Sequence, residues 1–110
     1  MEQLTEQQAK MVIEHFAQKA AADLPAIFDW MEWDKTHWMS RMAVSVAIER
    51  QVTEQDWNDL INVQLDLQTF DRDPDGYMAD HDWKGFAATR EYLETQVSFY
   101  IDTAFRNSGR

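Results

Sequence analysis

Residues 71 to 82 carry the residue types most able to do chemistry in this chain. The segment reads Asp-Arg-Asp-Pro-Asp-Gly-Tyr-Met-Ala-Asp-His-Asp, so its five carboxylates alternate, or nearly alternate, around one glycine. Carboxylates at this spacing suit a hard cation such as calcium, which takes about six to eight oxygen ligands from a tight loop. Without a metal, the same charges would form an acidic contact surface. The segment therefore predicts either a metal loop or an acidic docking surface.

The segment resembles the loop of the EF-hand family, whose pattern is D-x-[DN]-x-[DN]-G with a carboxylate at the twelfth position. The resemblance covers about residues 62 to 90 and includes apolar positions on both flanks. It implies metal ligands at Asp71, Asp73, Asp75, the backbone carbonyl of Tyr77, and Asp82. Three positions depart from the family pattern. Pro74 replaces a residue that commonly adopts a left-handed turn, Asp82 replaces glutamate, and Asp66 stands where the family is usually apolar. Since aspartate is the shorter acid, the resemblance implies weak calcium binding or a preference for magnesium.

The family usually pairs two such loops, and this chain offers no second one. Residues 45 to 56 place Ser45, Ala47 and Glu49 where ligands should stand, so a homodimer would have to complete the pair. The segment can also be explained without metal, because Asp-Pro-Asp-Gly is typical of a turn and Asp80 and Asp82 suit the start of a helix. Metal loop, contact surface and plain acidic turn all remain open at this point.

The negative charge of the chain is concentrated around this segment. The net charge is −10, and the stretch from residue 54 to residue 82 holds nine acids and one base, which leaves −2 for the rest. The nine acids are Glu54, Asp56, Asp59, Asp66, Asp71, Asp73, Asp75, Asp80 and Asp82. Direct binding to nucleic acid is disfavoured, because contacts with phosphate need clustered lysine and arginine. Cations or a basic protein surface are the partners that this charge favours.

Length and composition predict a single domain spanning residues 1 to 110. The chain is 45% hydrophobic and has no cysteine, so it can build a core and has no disulfide. No basic, apolar leader precedes the first helix, and no run approaches the roughly 18 apolar residues of a membrane span. We therefore expect a cytoplasmic protein that does not enter a membrane.

The apolar periodicity is helical nearly throughout, which predicts an all-α compact bundle of four or five helices. Helix starts are predicted at Thr5 with Gln8 as a capping box, at Pro25 for a short helix, at Asp34 or Thr36, at Thr53 and at about residue 82. The last helix is expected to end near residue 105, with a frayed tail from residue 107. Trp57 and Trp83 fall on apolar stripes, so we expect both to be buried.

Trp30 and Trp33 lie on a short segment that is apolar all round. Such a segment is either a buried connecting helix or an interface anchor, because tryptophan is enriched at binding hot spots. Methionines nearby would suit an adaptable contact surface. We therefore include both tryptophans among the predicted partner-binding residues, together with the acids from Glu54 to Asp80.

The remaining residues do not predict an enzyme. The three histidines are scattered, the serines lack a neighbouring base, and three glycines cannot form a phosphate loop. We expect a small acidic protein-binding module, similar in composition to inhibitor and immunity proteins, including phage-encoded antidefence proteins. Its acidic segment would dock on a basic surface of a protein partner and would occlude a nucleic-acid-binding site where that surface is one. The alternative is a calcium- or magnesium-binding protein with a single divergent EF-hand-like loop.

Overall fold

The computed structural model describes residues 4–27 and 30–109, the side chains of residues 25–27, 30 and 33–39 excepted. In this part of the chain five helices follow one another: α1 (Glu6–Ile27), α2 (Trp30–Ile48), α3 (Glu54–Arg72), α4 (Pro74–Asp80) and α5 (Phe86–Ser108). The same residues contain no strand. The predicted all-α fold is therefore confirmed.

Two helices begin where side-chain caps were predicted. The Gln8 amide donates to the Thr5 hydroxyl at 3.1 Å, and the Thr5 amide donates back to Gln8 Oε1 at 2.9 Å. The Thr53 hydroxyl accepts from the Asp56 amide at 3.1 Å and starts α3 in the same way. Each cap pairs a backbone N–H that has no partner within its own helix. Both predicted starts are confirmed.

The main core lies where α1, α3 and α5 meet. α3 contacts α1 on one side and α5 on the other, and α4 packs against α3 and α5. Ile13, Leu60 and Ile61 are fully buried there, and the ring of Trp57 lies 4.7 Å from that of Phe16. A smaller cluster, built on Phe70, Tyr77 and Leu93, holds α4 in place. The apolar stripes of α1, α3 and the second half of α5 are thus buried as predicted.

The predicted start of a second helix at Pro25 is wrong, because α1 continues through Pro25 to Ile27. Proline near the end of a helix removes only one backbone hydrogen bond, so the helix need not end before it. The predicted start at Asp34 or Thr36 is wrong as well. Both residues lie inside α2, which runs unbroken from Trp30 to Ile48.

The acidic segment contains a helix that the sequence analysis treated as a turn. Pro74 occupies the first turn of α4, where its fixed φ and missing N–H are favourable. The last helix begins at Phe86 rather than at residue 82. It continues to Ser108, so the first two residues of the expected frayed tail, Asn107 and Ser108, are helical. Trp83 precedes α5 and is half-buried rather than buried.

Asp82 ends α4 in a left-handed backbone conformation, with φ of 54°. The Asp82 amide donates to the Ala79 carbonyl at 3.4 Å, and the Trp83 amide donates to the Met78 carbonyl at 2.9 Å. These two bonds form a Schellman motif, which usually has glycine at the left-handed position. The motif turns the chain sharply and directs Trp83 back toward α5.

Candidate functional site

Three of the predicted partner-binding acids share the side of α3 that faces α5. The Asp56 carboxylate accepts from Asn107 Nδ2 at 3.2 and 3.4 Å, and Asp66 lines a pocket with residues of α5. Asp59 follows Asp56 by three residues and precedes Asp66 by seven, so it lies on the same side of the helix. Its carboxylate accepts from Gln55 Nε2 at 2.8 Å. We call these three residues the α3 acidic row.

Asp71 and Asp73 have local structural roles at the junction of α3 and α4. Arg90 Nη2 lies 3.4 Å from Asp71 Oδ2 and ties the end of α3 to α5. The Asp73 side chain accepts from the Gly76 amide at 3.2 Å and caps α4. Both carboxylates are thus held in place by their surroundings, although both remain exposed.

Four other predicted acids point into solvent from the two ends of the segment. One lies at the start of α3, two along α4 and one just after it, and none of them has an ion-pair partner in the described part of the chain: Glu54, Asp75, Asp80 and Asp82. The structure therefore leaves most of the negative charge of the segment without a neutralising cation.

The predicted metal ligands do not converge in this conformation. Among the described residues, no three of histidine, aspartate and glutamate come together in a way that suits a metal ion. The Tyr77 carbonyl, predicted as a ligand, accepts from the His81 amide at 3.1 Å and contacts His81 Nδ1 at 2.9 Å. A loop like that of the EF-hand would require α4 to unwind. Calcium or magnesium binding by Asp71, Asp73, Asp75 and Asp82 stays a prediction.

A small pocket of about 240 Å³ lies between α3, α4 and the start of α5. Aromatic rings form much of its wall, and one carboxylate enters it. The Trp83 and Tyr92 rings lie 4.7 Å apart, and the Tyr77 and His81 rings stack at 4.0 Å. Asp66 supplies the carboxylate. We call these five residues the aromatic pocket.

The electrostatics of the aromatic pocket centre on Asp66. Loss of water around its carboxyl raises the pKa of Asp66 above the ordinary value, and the neighbouring His81 acts in the opposite direction. Burial also raises the pKa of Tyr77, with smaller contributions from Asp66 and Tyr92. Since a carbonyl oxygen cannot donate, the 2.9 Å contact with the Tyr77 carbonyl places a proton on His81 Nδ1. Nε2 is then the ring nitrogen left for other partners.

Asp66 and Tyr77 are among the site residues predicted from the sequence, whereas His81, Trp83 and Tyr92 are not. Tyr77 and His81 are four residues apart, which is a local signal for stacking on a helix. Nothing local connects them with Tyr92, because that contact depends on how α5 packs against α4.

Trp30 and Trp33 belong to α2, and their side chains lie outside the described residues. Along the described part of α2, several apolar side chains are open to solvent. Met31 is 82% exposed and Val46 is 74% exposed, and Met42 is also exposed. The apolar periodicity of this segment predicts a buried face that includes Met42 and Val46. Both side chains are exposed, so this prediction is wrong at these two positions. The interface role of the two tryptophans stays a prediction.

Comparison with protein-family models, with curated proteins and with solved structures finds no match to this chain. None of the helices in the described ranges has both the length and the hydropathy that crossing a bilayer requires. The geometry and the charge of the site are therefore the basis for a proposed function.

Proposed function

We propose that this chain is a small, non-enzymatic protein-binding module that docks its acidic segment, Glu54 to Asp82, on a basic surface of a protein partner. The observation that carries the proposal is the uncompensated charge of this segment. Within the described residues its acids form one ion pair with a cation, Asp71 with Arg90. Three more accept hydrogen bonds from neutral amides, which leave the carboxylates charged. The segment therefore keeps a strong negative field at its surface.

Docking of this kind would proceed in two stages. The field would attract and orient a basic partner before contact, which raises the association rate and selects against acidic proteins. Short-range contacts would then supply most of the affinity, because exposed charge pairs contribute little once they are screened by salt. A partner whose basic surface binds nucleic acid would be blocked by the module, as an inhibitor or antidefence protein would block it.

The test compares two variants that lose the same charge from different surfaces. The first variant carries Asp75→Asn and Asp80→Asn, on α4. The matched control carries Glu14→Gln and Glu91→Gln, on α1 and α5. Each variant loses two carboxylates, which changes the net charge from −10 to −8. A partner captured from the source cell by the unaltered chain would then be titrated with each variant at several salt concentrations.

The proposal expects the α4 variant to bind the partner about tenfold more weakly and with a shallower salt dependence, because screened charge pairs are lost from the interface. The control variant should bind nearly as well as the unaltered chain. Equal weakening by both variants would mean that overall charge matters and not this surface. Unchanged binding by the α4 variant would also overturn the proposal.

A further inference from the structure

We infer that the aromatic pocket receives one cationic side chain, lysine or arginine, of the protein partner. This inference rests on the proposed function and adds the chemistry of a specific contact to it. The acidic surface alone says only that the partner is basic. The pocket defines a position where one of its cations would enter.

The aromatic rings of the pocket suit a cation because they come from different elements and leave an opening. Tyr77 belongs to α4, Trp83 to the connection after it, and Tyr92 to α5. Tyr92 is 45% exposed, so the opening is reachable from solvent. The face of an aromatic ring attracts ammonium and guanidinium groups, most strongly for tryptophan and tyrosine. Aromatic rings gathered around a cavity that opens to solvent are therefore suited to a cation.

Asp66 supplies the negative charge of the pocket. Its carboxylate lines the same pocket as His81 and Tyr77. His81 lowers the pKa of Asp66, and Asp66 in turn raises the pKa of Tyr77. In the described part of the chain no lysine or arginine forms an ion pair with Asp66. An anion would be repelled there, and a purely apolar group would remove water from the carboxylate without replacing it. A cation with N–H donors satisfies both the carboxylate and the rings.

The size of the pocket limits the ligand to one side chain. Its volume of about 240 Å³ is below the roughly 300–1,000 Å³ of pockets that enclose drug-sized ligands. The head of a lysine or arginine, with part of its aliphatic stem, is a group of suitable scale. The surrounding acids would draw the remainder of the basic partner toward the same face.

The experiment needs no partner, because small compounds can represent the two side chains. The full chain labelled with nitrogen-15 would be titrated with n-butylammonium, with n-propylguanidinium and with the neutral 1-butanol at constant ionic strength. The indole N–H signal of Trp83, assigned by its loss in Trp83→Phe, reports occupancy. Asp66→Asn removes the pocket carboxylate, and Glu14→Gln removes a carboxylate from α1, outside the pocket and outside the acidic segment.

The inference expects a saturable shift of the Trp83 signal with at least one cation and a much smaller shift with 1-butanol. Asp66→Asn should weaken binding about fivefold, as for loss of a partly exposed charge pair, whereas Glu14→Gln should have little effect. Saturation by n-butylammonium alone would indicate lysine, and saturation by n-propylguanidinium alone would indicate arginine.

Three results would overturn the inference: no saturation with either cation, an equal response to 1-butanol, or equal weakening by Glu14→Gln and Asp66→Asn. These results are independent of the α4 variant described above. The cation-binding proposal can therefore be overturned while the docking proposal stands. The docking proposal can likewise be overturned while the pocket still binds cations.

Discussion

At Asp66, the proposed binding of a cation favours a charged carboxylate, whereas the stability of the fold favours a neutral one. A carboxyl whose pKa is raised in the folded state favours folding while it is protonated, and that contribution is lost as the pH rises through the folded pKa. At neutral pH the charged Asp66 therefore lowers the free energy of unfolding. This cost is tolerable because the side chain is partly exposed, and it keeps a charge available at the aromatic pocket.

We predict that Asp66→Asn raises the free energy of unfolding near neutral pH by less than about 1 kcal/mol, since solvent screens the group. The gain should disappear below about pH 3.8, the ordinary pKa of aspartate, where the carboxyl is protonated in both states. Urea unfolding at neutral and acidic pH measures the difference. Glu91→Gln is the control for removing any one negative charge. An equal gain in both variants would contradict a specific role for Asp66.

The side chain of Gln64 also lowers the free energy of unfolding. It is 1% exposed in the middle of α3, and its Nε2 has no hydrogen-bond partner in the described part of the structure. Burying an unpaired amide costs roughly 1–3 kcal/mol.

We predict that Gln64→Met, which keeps a long flexible side chain without the amide, raises the free energy of unfolding by about 1 kcal/mol. Urea unfolding would measure the gain. Gln64→Ala should instead lower stability by about 2 kcal/mol or more, because it leaves a cavity. If Gln64→Met were destabilising, the amide would have to be paired in solution.

Among the helices, α4 is the one whose local sequence does not determine its structure, so contacts with distant residues decide it. The caps at Thr5 and Thr53 pair groups three residues apart, so the sequence alone predicts them. Asp-Pro-Asp-Gly fits a turn and also a helix start. The choice is made by Tyr77, whose ring packs edge-on against Phe70 at 5.7 Å. That contact is tertiary and has no local signal.

The same distinction explains how much of the candidate site was predictable. The acidic residues and their clustering along the chain follow directly from the sequence. Their separation into an α3 acidic row and a set of acids along α4 does not, because it depends on α4 being helical. The aromatic pocket needs α3, α4 and α5 to be packed together, so its members were not linked by spacing.

The end of α4 gives a prediction at the scale of this element. Asp82 has a positive φ, which strains any residue with a Cβ, and its negative charge stands at the unfavourable end of the helix dipole. Asp82→Gly should therefore raise the free energy of unfolding by about 1 kcal/mol. Asp82→Asn, which removes the charge and keeps the Cβ, should give a smaller gain. Thermal unfolding compares the two variants.

The same variants test the metal hypothesis when calcium is added. If Asp82 completes a calcium site, calcium should raise the melting temperature of the unaltered chain and not that of Asp82→Gly. Calcium-independent melting of the unaltered chain would remove the alternative function. A calcium effect that survives in Asp82→Gly would place the metal elsewhere.

For the whole molecule, Arg50 joins the connection between α2 and α3 to the end of α5. Its Nε donates to Ser108 Oγ at 2.9 Å and its Nη2 donates to the Phe105 carbonyl at 3.1 Å. Its guanidinium also lies 3.9 Å from the centre of the Phe105 ring. A positive charge at this position favours the C-terminal end of α5. One side chain therefore holds the α2–α3 connection against the end of α5 in a molecule 48 Å long.

We predict that Arg50→Lys lowers the free energy of unfolding by about 1–2 kcal/mol, because lysine cannot reproduce the two directed bonds and the ring contact. Gly109→Ala should cause a smaller loss, since the added methyl group would meet the guanidinium at the end of the flexible Arg50 side chain, which can shift. Arg72→Lys, at an exposed position of α3, is the control and should change stability little. Urea unfolding measures all three. No loss in Arg50→Lys would show that the contacts are not maintained in solution.

The Arg50 contacts also have a consequence for the time course of folding. Arg50 and Ser108 are 58 positions apart, so the intervening chain must close a large loop before they meet. Because closing this loop costs conformational entropy, we expect the Arg50 contacts to form after the folding transition state. Loss of the guanidinium should then accelerate unfolding while the folding rate stays almost constant. Arg50 would thus determine how long a folded molecule survives more than how quickly it forms.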